Sequence, residues 1–306
     1  MQREVEKIRK DIKRLRIQGA RNVAKEAVRA MGIIARKSKA KSREELVNEL
    51  LVAADELASA RPTEPMLRNA LRALFAEVRN STGGVEELRK LVEREEMEYF
   101  KRMRENEERM EEYGARELSG SSTVLTHCHS SSVVSILKRV DELGNGISVI
   151  CTETRPKLQG LITAKQLSSA GVKVTLIVDS AVSHFIKDVD AVLVGADAIT
   201  SRGDLVNKIG TAGIAVIAHE NGVSMYSAAE TFKFDPLTLW GGIEKIEERK
   251  PEEVTNPKKL KGVEIRNPAF DVTPARYLTA YITEMGVIPP QSLLNVMLKG
   301  GIEKLY

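Results

Sequence analysis

The chain has 306 residues, which predicts two domains of about 150 residues or one large α/β unit. Its composition, 42% hydrophobic and 29% charged with two cysteines, excludes a disulfide framework and is typical of intracellular globular proteins. No run of 18 apolar residues is present, and the first twenty residues lack the apolar core of a secretory signal. We therefore expect a cytoplasmic protein that makes no membrane contact.

The charge is unevenly distributed along the chain. Residues 1–50 hold 15 Lys and Arg against 7 Asp and Glu, whereas the remainder holds 32 against 36. A basic segment can contact phosphate groups on RNA or on a small ligand, although most such charges lie on solvated helix faces. Because this segment has almost no aromatic residues for base stacking, the sequence disfavours nucleic acid as the main partner.

Residues 1–117 are predicted to form an all-helical domain. Lys, Arg, Glu, Ala and Leu dominate this part, and apolar residues recur every three or four positions, as at Val47 and Leu50. Breaks divide it into three to five helices, and they lie at Gly19, at residues 61–63 and at residues 81–84.

Residues 118–306 are predicted to form an α/β domain, because short β-branched runs alternate there with helical stretches. The runs lie at 124–128, 147–153, 172–179, 190–197 and 224–229, and one or two last strands are expected in 263–265 and 267–271. Continuous apolar runs indicate strands that are buried on both faces of a parallel sheet. The predicted fold is a helical N-terminal domain followed by a Rossmann-like, doubly wound parallel sheet.

The carboxyl ends of parallel strands are where such folds bind ligands, so the residues that follow each predicted strand are candidates. Ser130, Ser131 and Ser132 follow the first strand and open a helix. Their backbone N–H groups are suited to binding a phosphate at the helix N-terminus. Simple helix capping by one serine is the alternative, and the two interpretations are compatible.

Cys128 and Asp197 follow the first and fourth predicted strands. A helix N-terminus beside Cys128 is expected to favour its thiolate, which makes this residue a candidate base or nucleophile. Alternatively, Cys128 is a small buried apolar residue, as predicted for Cys151, and Asp197 is a helix cap. Two proton-active groups that face one crevice indicate general acid–base chemistry.

Lys208 and Lys233 are candidate cations for a phosphate dianion. The alternative interpretation is that both are ordinary surface lysines. Lys208 is expected to open a helix near the same edge of the sheet. Glycine-rich nucleotide motifs are absent from the sequence. Residues 127–129 are expected to be extended, so that neighbouring side chains point apart, and no metal site is predicted.

The chain resembles the superfamily that translation initiation factor 2B regulatory subunits share with two sugar-phosphate isomerases. These enzymes are methylthioribose-1-phosphate isomerase and archaeal ribose-1,5-bisphosphate isomerase, and the sequence looks most like the latter. Initiation-factor subunits usually lack a cysteine at the position of Cys128, which favours the enzymes. Six ordered motifs carry the resemblance: LTHCHS (125–130), CTETRPKLQG (151–160), VDSAVSH (178–184), VGAD (194–197), NKIGT (207–211) and NPAFDVTP (267–274).

The resemblance implies a proton transfer that converts ribose 1,5-bisphosphate into ribulose 1,5-bisphosphate, in nucleoside-monophosphate salvage and without a cofactor. It implies a homo-oligomer, either a dimer or a hexamer. It makes Cys128 the proton acceptor and Asp197 the proton donor. It assigns substrate binding to Gln18, Gly19, Ala20, Arg21, Arg61, Ser130, Ser131, Ser132, Asn207, Lys208 and Lys233.

Three positions depart from the family pattern. Gln18 stands where the family's first loop has arginine, Arg21 stands where it has glycine, and a lysine usual near Ser131 is missing. Two alternatives therefore stay open. One is a non-catalytic regulatory subunit that binds an initiation factor, and the other is a methylthioribose-1-phosphate isomerase.

Overall fold

The computed structural model describes residues 3–242 and 246–299. It divides them into two compact units. Residues 3–105, 232–234 and 295–299 form the first unit, and the others form the second. The boundary between the two units therefore lies at residue 105, inside a helix, whereas the sequence predicts a domain boundary at residue 117.

Five helices occupy the predicted N-terminal helical region. They are α1 (Arg3–Lys13), α2 (Ala20–Lys37), α3 (Arg43–Ala60), α4 (Pro65–Asn80) and α5 (Val85–Glu117). The starts of α3 and α4 have ordinary causes: the Ser42 hydroxyl accepts a hydrogen bond from the Glu45 N–H, and Pro65 takes the first position of α4. The three predicted breaks are confirmed, and the five helices lie within the predicted range of three to five, but the break at residues 38–42 was not predicted.

The core of the first unit consists of the apolar stripes of these helices. Fully buried large side chains from all five include Ile12, Met31, Leu46, Leu50, Leu57, Met66, Leu67 and Leu88. Because these stripes recur at helical spacing, hydrophobic burial stabilises the packing that the sequence pattern predicts. Over residues 3–242 and 246–299, no helix is both long and apolar enough to cross a bilayer.

The second unit contains ten strands and the remaining helices. The strands are β1 (Thr123–Thr126), β2 (Ser148–Thr152), β3 (Lys173–Ile177), β4 (Ala191–Val194), β5 (Ala198–Ile199), β6 (Leu205–Lys208), β7 (Ser224–Ala228), β8 (Phe270–Thr273), β9 (Ala280–Thr283) and β10 (Gly286–Ile288). The helices are α6 (Ser131–Val140), α7 (Gln159–Ser169), α8 (Val182–Phe185), α9 (Thr211–Glu220) and α10 (Pro290–Lys299), the last of which continues into the first unit.

The main sheet is doubly wound, as predicted. Its order is β10-β9-β7-β4-β1-β2-β3, and all neighbours are parallel except the edge pair β9–β10. The strand order reverses where β1 pairs with β4, in the register Val124 to Ala191. In open sheets this reversal separates the connecting loops and leaves a crevice at the carboxyl ends of the two strands.

A small antiparallel sheet of order β5-β6-β8 accompanies the main sheet and was not predicted. Lys208 is the last residue of β6, so the prediction that it opens a helix is wrong. Helix α9 begins only after Gly210, whose φ of 104° suits glycine. The predicted strand at residues 263–265 is also wrong, because this segment has no regular structure.

We expect Gly160→Ala to destabilise the second unit. A Cβ built on Gly160, in the first turn of α7, would overlap the carbonyl oxygen of Thr152 at the end of β2. The backbone must then move, at a cost of about 2–3 kcal/mol in the free energy of unfolding. Gly213→Ala, in the first turn of α9, is the matched control, since nothing lies within 4 Å of its Cβ position.

The control should be neutral or more stable by about 0.5–1 kcal/mol, because alanine is the better helix former. Urea unfolding monitored by circular dichroism measures both variants. Equal stability of Gly160→Ala and wild type would contradict the packing described for α7 and β2.

Candidate active site

The backbone of Cys128 is held in an unusual conformation just beyond β1. Its φ is 69°, a left-handed value that costs a non-glycine residue about 1–2 kcal/mol, so the expected extended segment is not found. Two hydrogen bonds compensate for this cost. The Cys128 N–H donates to Oγ1 of Thr154 (2.8 Å), and its carbonyl accepts from Oγ1 of Thr163 (2.9 Å). Thr154, just after β2, and Thr163, within α7, thus fix the backbone from which the thiol projects.

The two neighbouring histidines are positioning groups. Nε2 of buried His127 lies 2.9 Å from the carbonyl oxygen of Ile209, which only accepts, so Nδ1 accepts from the Thr152 hydroxyl at 2.6 Å. Nδ1 of His129 donates to Oγ1 of Thr163 (2.9 Å), because the Thr163 hydroxyl already donates its proton to the Cys128 carbonyl. Burial lowers the pKa of both imidazoles, which favours their neutral forms at pH 7.

The Cys128 thiol is half-buried, and this burial raises its pKa to about 11. The positive charge of Lys208 and a hydrogen bond from the His129 N–H lower this pKa, whereas the carboxylate of Asp197 raises it. The prediction that the helix N-terminus favours the thiolate is therefore wrong, because desolvation outweighs it. The predicted burial of Cys151 is confirmed.

Asp197 lies at the same edge of the sheet as Cys128. It follows β4, its N–H donates to the carbonyl of Val206 (2.9 Å), and its side chain is half-buried. The loops after β1 and β4 are in contact, since a Cβ built on Gly195 would lie 2.8 Å from Cβ of Ser130. The thiol and the carboxyl are thus close enough for the charge of one to change the pKa of the other.

Asn207 and Lys208 are the last residues of β6, and the next residue, Ile209, contacts His127 beside the Cys128 loop. The Asn207 amide donates to Oγ1 of Thr211 (3.0 Å), which donates in turn to the carbonyl of Lys208 (2.6 Å). The Lys208 side chain is buried, and its Nζ lies 4.7 Å from the centre of the Phe270 ring. Burial lowers the pKa of Lys208, while the negative charges of Cys128 and Asp197 raise it.

The three serines begin α6 as predicted. The Oγ of Ser130 accepts from the Val133 N–H at 3.5 Å, so this residue caps the helix. Ser131 is exposed and Ser132 is buried. Their backbone N–H groups precede the first intrahelical hydrogen bond, which is the arrangement that binds anions at helix N-termini.

The predicted loop at residues 18–21 lies in the first unit. Gln18 donates from Nε2 to the carbonyl of Leu15 (2.6 Å), and Gly19 caps α2 with a φ of 81°. Ala20 is the buried first residue of this helix. Arg21 donates from Nη2 to the carbonyl of Met103 (2.8 Å), within the same unit.

Arg61 and Lys233 are also residues of the first unit. Arg61 is buried and forms an ion pair with Glu64, with 2.6 Å between Nη2 and Oε1. Lys233 is only 5% exposed, which is unusual for a lysine and excludes the surface-lysine interpretation.

Several residues that shape the site were not predicted. Thr152, Thr154 and Thr163 hold the loop of Cys128, and both carboxylate oxygens of Asp179 accept 2.7 Å bonds from the backbone after β2. Asp271 accepts from the Gly210 N–H at the start of α9 (2.7 Å). A usable signal existed for Thr152 and Asp179, because both lie at the carboxyl ends of predicted strands.

A doubly wound sheet with a thiol, a carboxyl and a buried lysine beside its point of strand reversal defines an α/β protein built to bind a small anionic molecule. The model of the initiation factor 2 subunit family matches residues 16–290. The chain belongs to this family.

Three relatives place the chain within it. Ribose 1,5-bisphosphate isomerase of Methanocaldococcus jannaschii is 45% identical, over 96% of this chain and 94% of its own length. A crystal structure of translation initiation factor eIF-2B from Pyrococcus horikoshii OT3 has a TM-score of 0.82 and 31% identity, over 95% of this chain and 98% of that one. A structure of 5-methylthioribose 1-phosphate isomerase from the same organism has a TM-score of 0.81 and 33% identity, over 97% and 88%. The predicted resemblance is confirmed.

We expect alkylation of Cys128 by iodoacetamide to accelerate about tenfold per pH unit from pH 7 to 10, because the thiolate reacts and its pKa is about 11. Lys208→Met should slow the reaction at a given pH, since the lysine charge lowers that pKa. Asp197→Asn should accelerate it, since the carboxylate raises that pKa. Peptide mapping by mass spectrometry separates Cys128 from buried Cys151. Faster alkylation in Lys208→Met together with slower alkylation in Asp197→Asn would contradict the described electrostatics.

Proposed function

We propose that this protein is an isomerase that converts ribose 1,5-bisphosphate to ribulose 1,5-bisphosphate. The observation that carries the proposal is the common position of Cys128, Asp197 and Lys208 beside the β1–β4 pair. The relative of that name is 45% identical to the chain, whereas the initiation factor is 31% identical and the 5-methylthioribose 1-phosphate isomerase is 33% identical. The proposal includes cytoplasmic location, a role in nucleoside-monophosphate salvage and a homo-oligomeric state.

The first half of the reaction opens the sugar ring and removes a proton. Asp197, as the carboxylic acid, donates its proton to the ring oxygen, and the bond between C1 and that oxygen breaks. Cys128, as the thiolate, takes the proton from C2, and the electrons of the C2–H bond form a C1=C2 double bond. The product of this half is an enol phosphate.

The second half returns both residues to their starting protonation states. The C2 hydroxyl returns a proton to the Asp197 carboxylate and becomes the ketone. The electrons of the C1=C2 bond take a proton from the Cys128 thiol onto C1, which restores the thiolate. The two halves sum to an isomerisation in which no electron acceptor or further reactant is needed.

The reactive form of Cys128 is rare in the ligand-free protein. A pKa of about 11 leaves roughly one thiol in ten thousand ionised at pH 7. The pair of thiolate and carboxylic acid has the same net charge as the pair of thiol and carboxylate, and it differs only in where one proton lies. The positive charge of Lys208 stabilises both anions, and it favours the reactive arrangement because its interaction with the Cys128 thiolate is the larger of the two.

Substrate binding is proposed for the remaining predicted residues. In the second unit, these are Asn207, Lys208 and the N–H groups of the first turn of α6, whose charges and donors suit a phosphate. In the first unit, the resemblance assigns the loop 18–21, Arg61 and Lys233, and the burial of Lys233 supports a role for its charge.

We expect Cys128→Ser and Asp197→Asn to lower kcat by a factor of about 10²–10⁴, the usual contribution of a general base or acid. The assay follows ribulose 1,5-bisphosphate formed from ribose 1,5-bisphosphate. Cys151→Ala is the matched control and should keep kcat, since buried Cys151 plays no part in the mechanism. In D₂O, the product should carry deuterium at C1, because a thiol proton exchanges with solvent, whereas a hydride shift would leave C1 unlabelled.

The same assay separates the alternatives. Turnover of methylthioribose 1-phosphate instead of the bisphosphate would favour the methylthioribose-1-phosphate isomerase branch. Absence of any isomerase activity, together with capture of initiation factor 2 in a pull-down, would favour the regulatory subunit. Either result would contradict the proposed function.

Lys233→Met should raise KM for the bisphosphate at least tenfold and change kcat less, because one charge-assisted contact to a phosphate is lost. Lys258→Met is the matched control, since this lysine is exposed. Circular dichroism checks the fold of both variants. An unchanged KM in Lys233→Met would remove this residue from the binding set.

A further inference from the structure

Arg249 is a buried arginine beside the candidate active site that the proposed mechanism does not use. Its side chain is only 9% exposed. A buried guanidinium normally has several of its five N–H donors satisfied by protein acceptors. Its nearest acidic partner is Oε1 of Glu247, 3.5 Å from Nε, and Nε is buried without a hydrogen bond. Within the part of the chain that the structure describes, no hydrogen bond leaves this guanidinium.

The backbone explains why Arg249 lies there. Its N–H donates to the carbonyl of Asn267 (2.9 Å), and the Ala269 N–H donates to the carbonyl of Glu247 (2.8 Å). These bonds pair the segment 247–249 with the residues that lead into β8. Since Phe270 of β8 is paired with Lys208 of β6, this register brings the arginine and the lysine to the same place.

The side chains of Lys208 and Arg249 meet at one aromatic ring. The Phe270 ring centre is 4.7 Å from Nζ of Lys208 and 6.0 Å from Cζ of Arg249. Two buried cations this close repel each other, and the charge of Arg249 also acts on Cys128. The carboxylate of Glu247 offsets part of this repulsion, and a phosphate dianion bound between or beside the two cations offsets more of it. The sugar's phosphates are the dianions that the proposed function supplies.

We infer that Arg249 is a further substrate-binding residue, whose guanidinium binds the phosphate on C1 of the sugar. This inference rests on the proposed function. Cys128 acts at C2, so the C1 phosphate is the dianion nearest to the thiol along the sugar, and the 5-phosphate lies at the far end. A guanidinium with free donors binds two phosphate oxygens at once, which a lysine cannot do.

The test compares two ligands by isothermal titration calorimetry, ribulose 1,5-bisphosphate and ribose 5-phosphate, on wild type and Arg249→Gln. We expect the variant to bind the bisphosphate about 10- to 100-fold more weakly, the effect of losing charge-assisted hydrogen bonds. Its affinity for ribose 5-phosphate, which has no phosphate on C1, should be unchanged. Arg266→Gln is the matched control, because exposed Arg266 pairs with Glu248 at the surface.

Arg249→Lys keeps the test decisive if Arg249→Gln fails to fold. Lysine keeps the charge and loses the two-pronged donor, so a three- to tenfold weaker affinity for the bisphosphate alone is expected. Wild-type affinity of a folded variant for the bisphosphate, or equal weakening for both ligands, would overturn the inference. The proposed function would still stand in that case, provided that the wild-type protein turns over the bisphosphate. A wild-type protein that neither binds nor isomerises the bisphosphate would overturn both.

Discussion

The parallel pairing of β1 with β4 is the constraint on which the candidate site depends. It is the point where the strand order reverses, and it brings the loop of Cys128 beside the loop of Asp197. Neighbouring strands are about 4.8 Å apart, so a sheet in which β4 followed β3 would separate these loops by about 14 Å. The acid and the base of the proposed mechanism would then reach different ligands. The strand order therefore decides whether these two side chains can act on one ligand.

Burial and charge oppose each other at this edge of the sheet. Burial raises the pKa of Cys128 and lowers that of Lys208, so each group loses its charge more readily than in water. Each also restores the charge of the other, since a thiolate and an ammonium attract. In the proposed function a substrate phosphate adds a dianion to this balance and requires further positive charge, which is the physical reason for the proposed role of Arg249.

The sequence predicts the elements whose signal is local. The β-branched runs predict β1 to β4 and β7, and the spacing of apolar residues predicts a helical region of three to five helices, of which the structure has five. Strand β5 has two residues, too few to show any pattern, and without it Lys208 resembles the start of α9. The protonation of Cys128 was misjudged for a related reason: the helix N-terminus is visible in the sequence, whereas desolvation comes from residues far along the chain.

The left-handed backbone of Cys128 distinguishes this site from nucleotide-binding sheets of the same topology. In those proteins, glycines in the first turn let the backbone approach a pyrophosphate closely. Here a residue with a side chain takes the left-handed position, at a cost of about 1–2 kcal/mol, and the Thr154 and Thr163 hydroxyls hold it there. At this turn a thiol takes the place of such a glycine, and the N–H groups suited to a phosphate are those at the start of α6. Under the proposed function, a sheet that elsewhere binds cofactors is in this way adapted to act on its ligand directly.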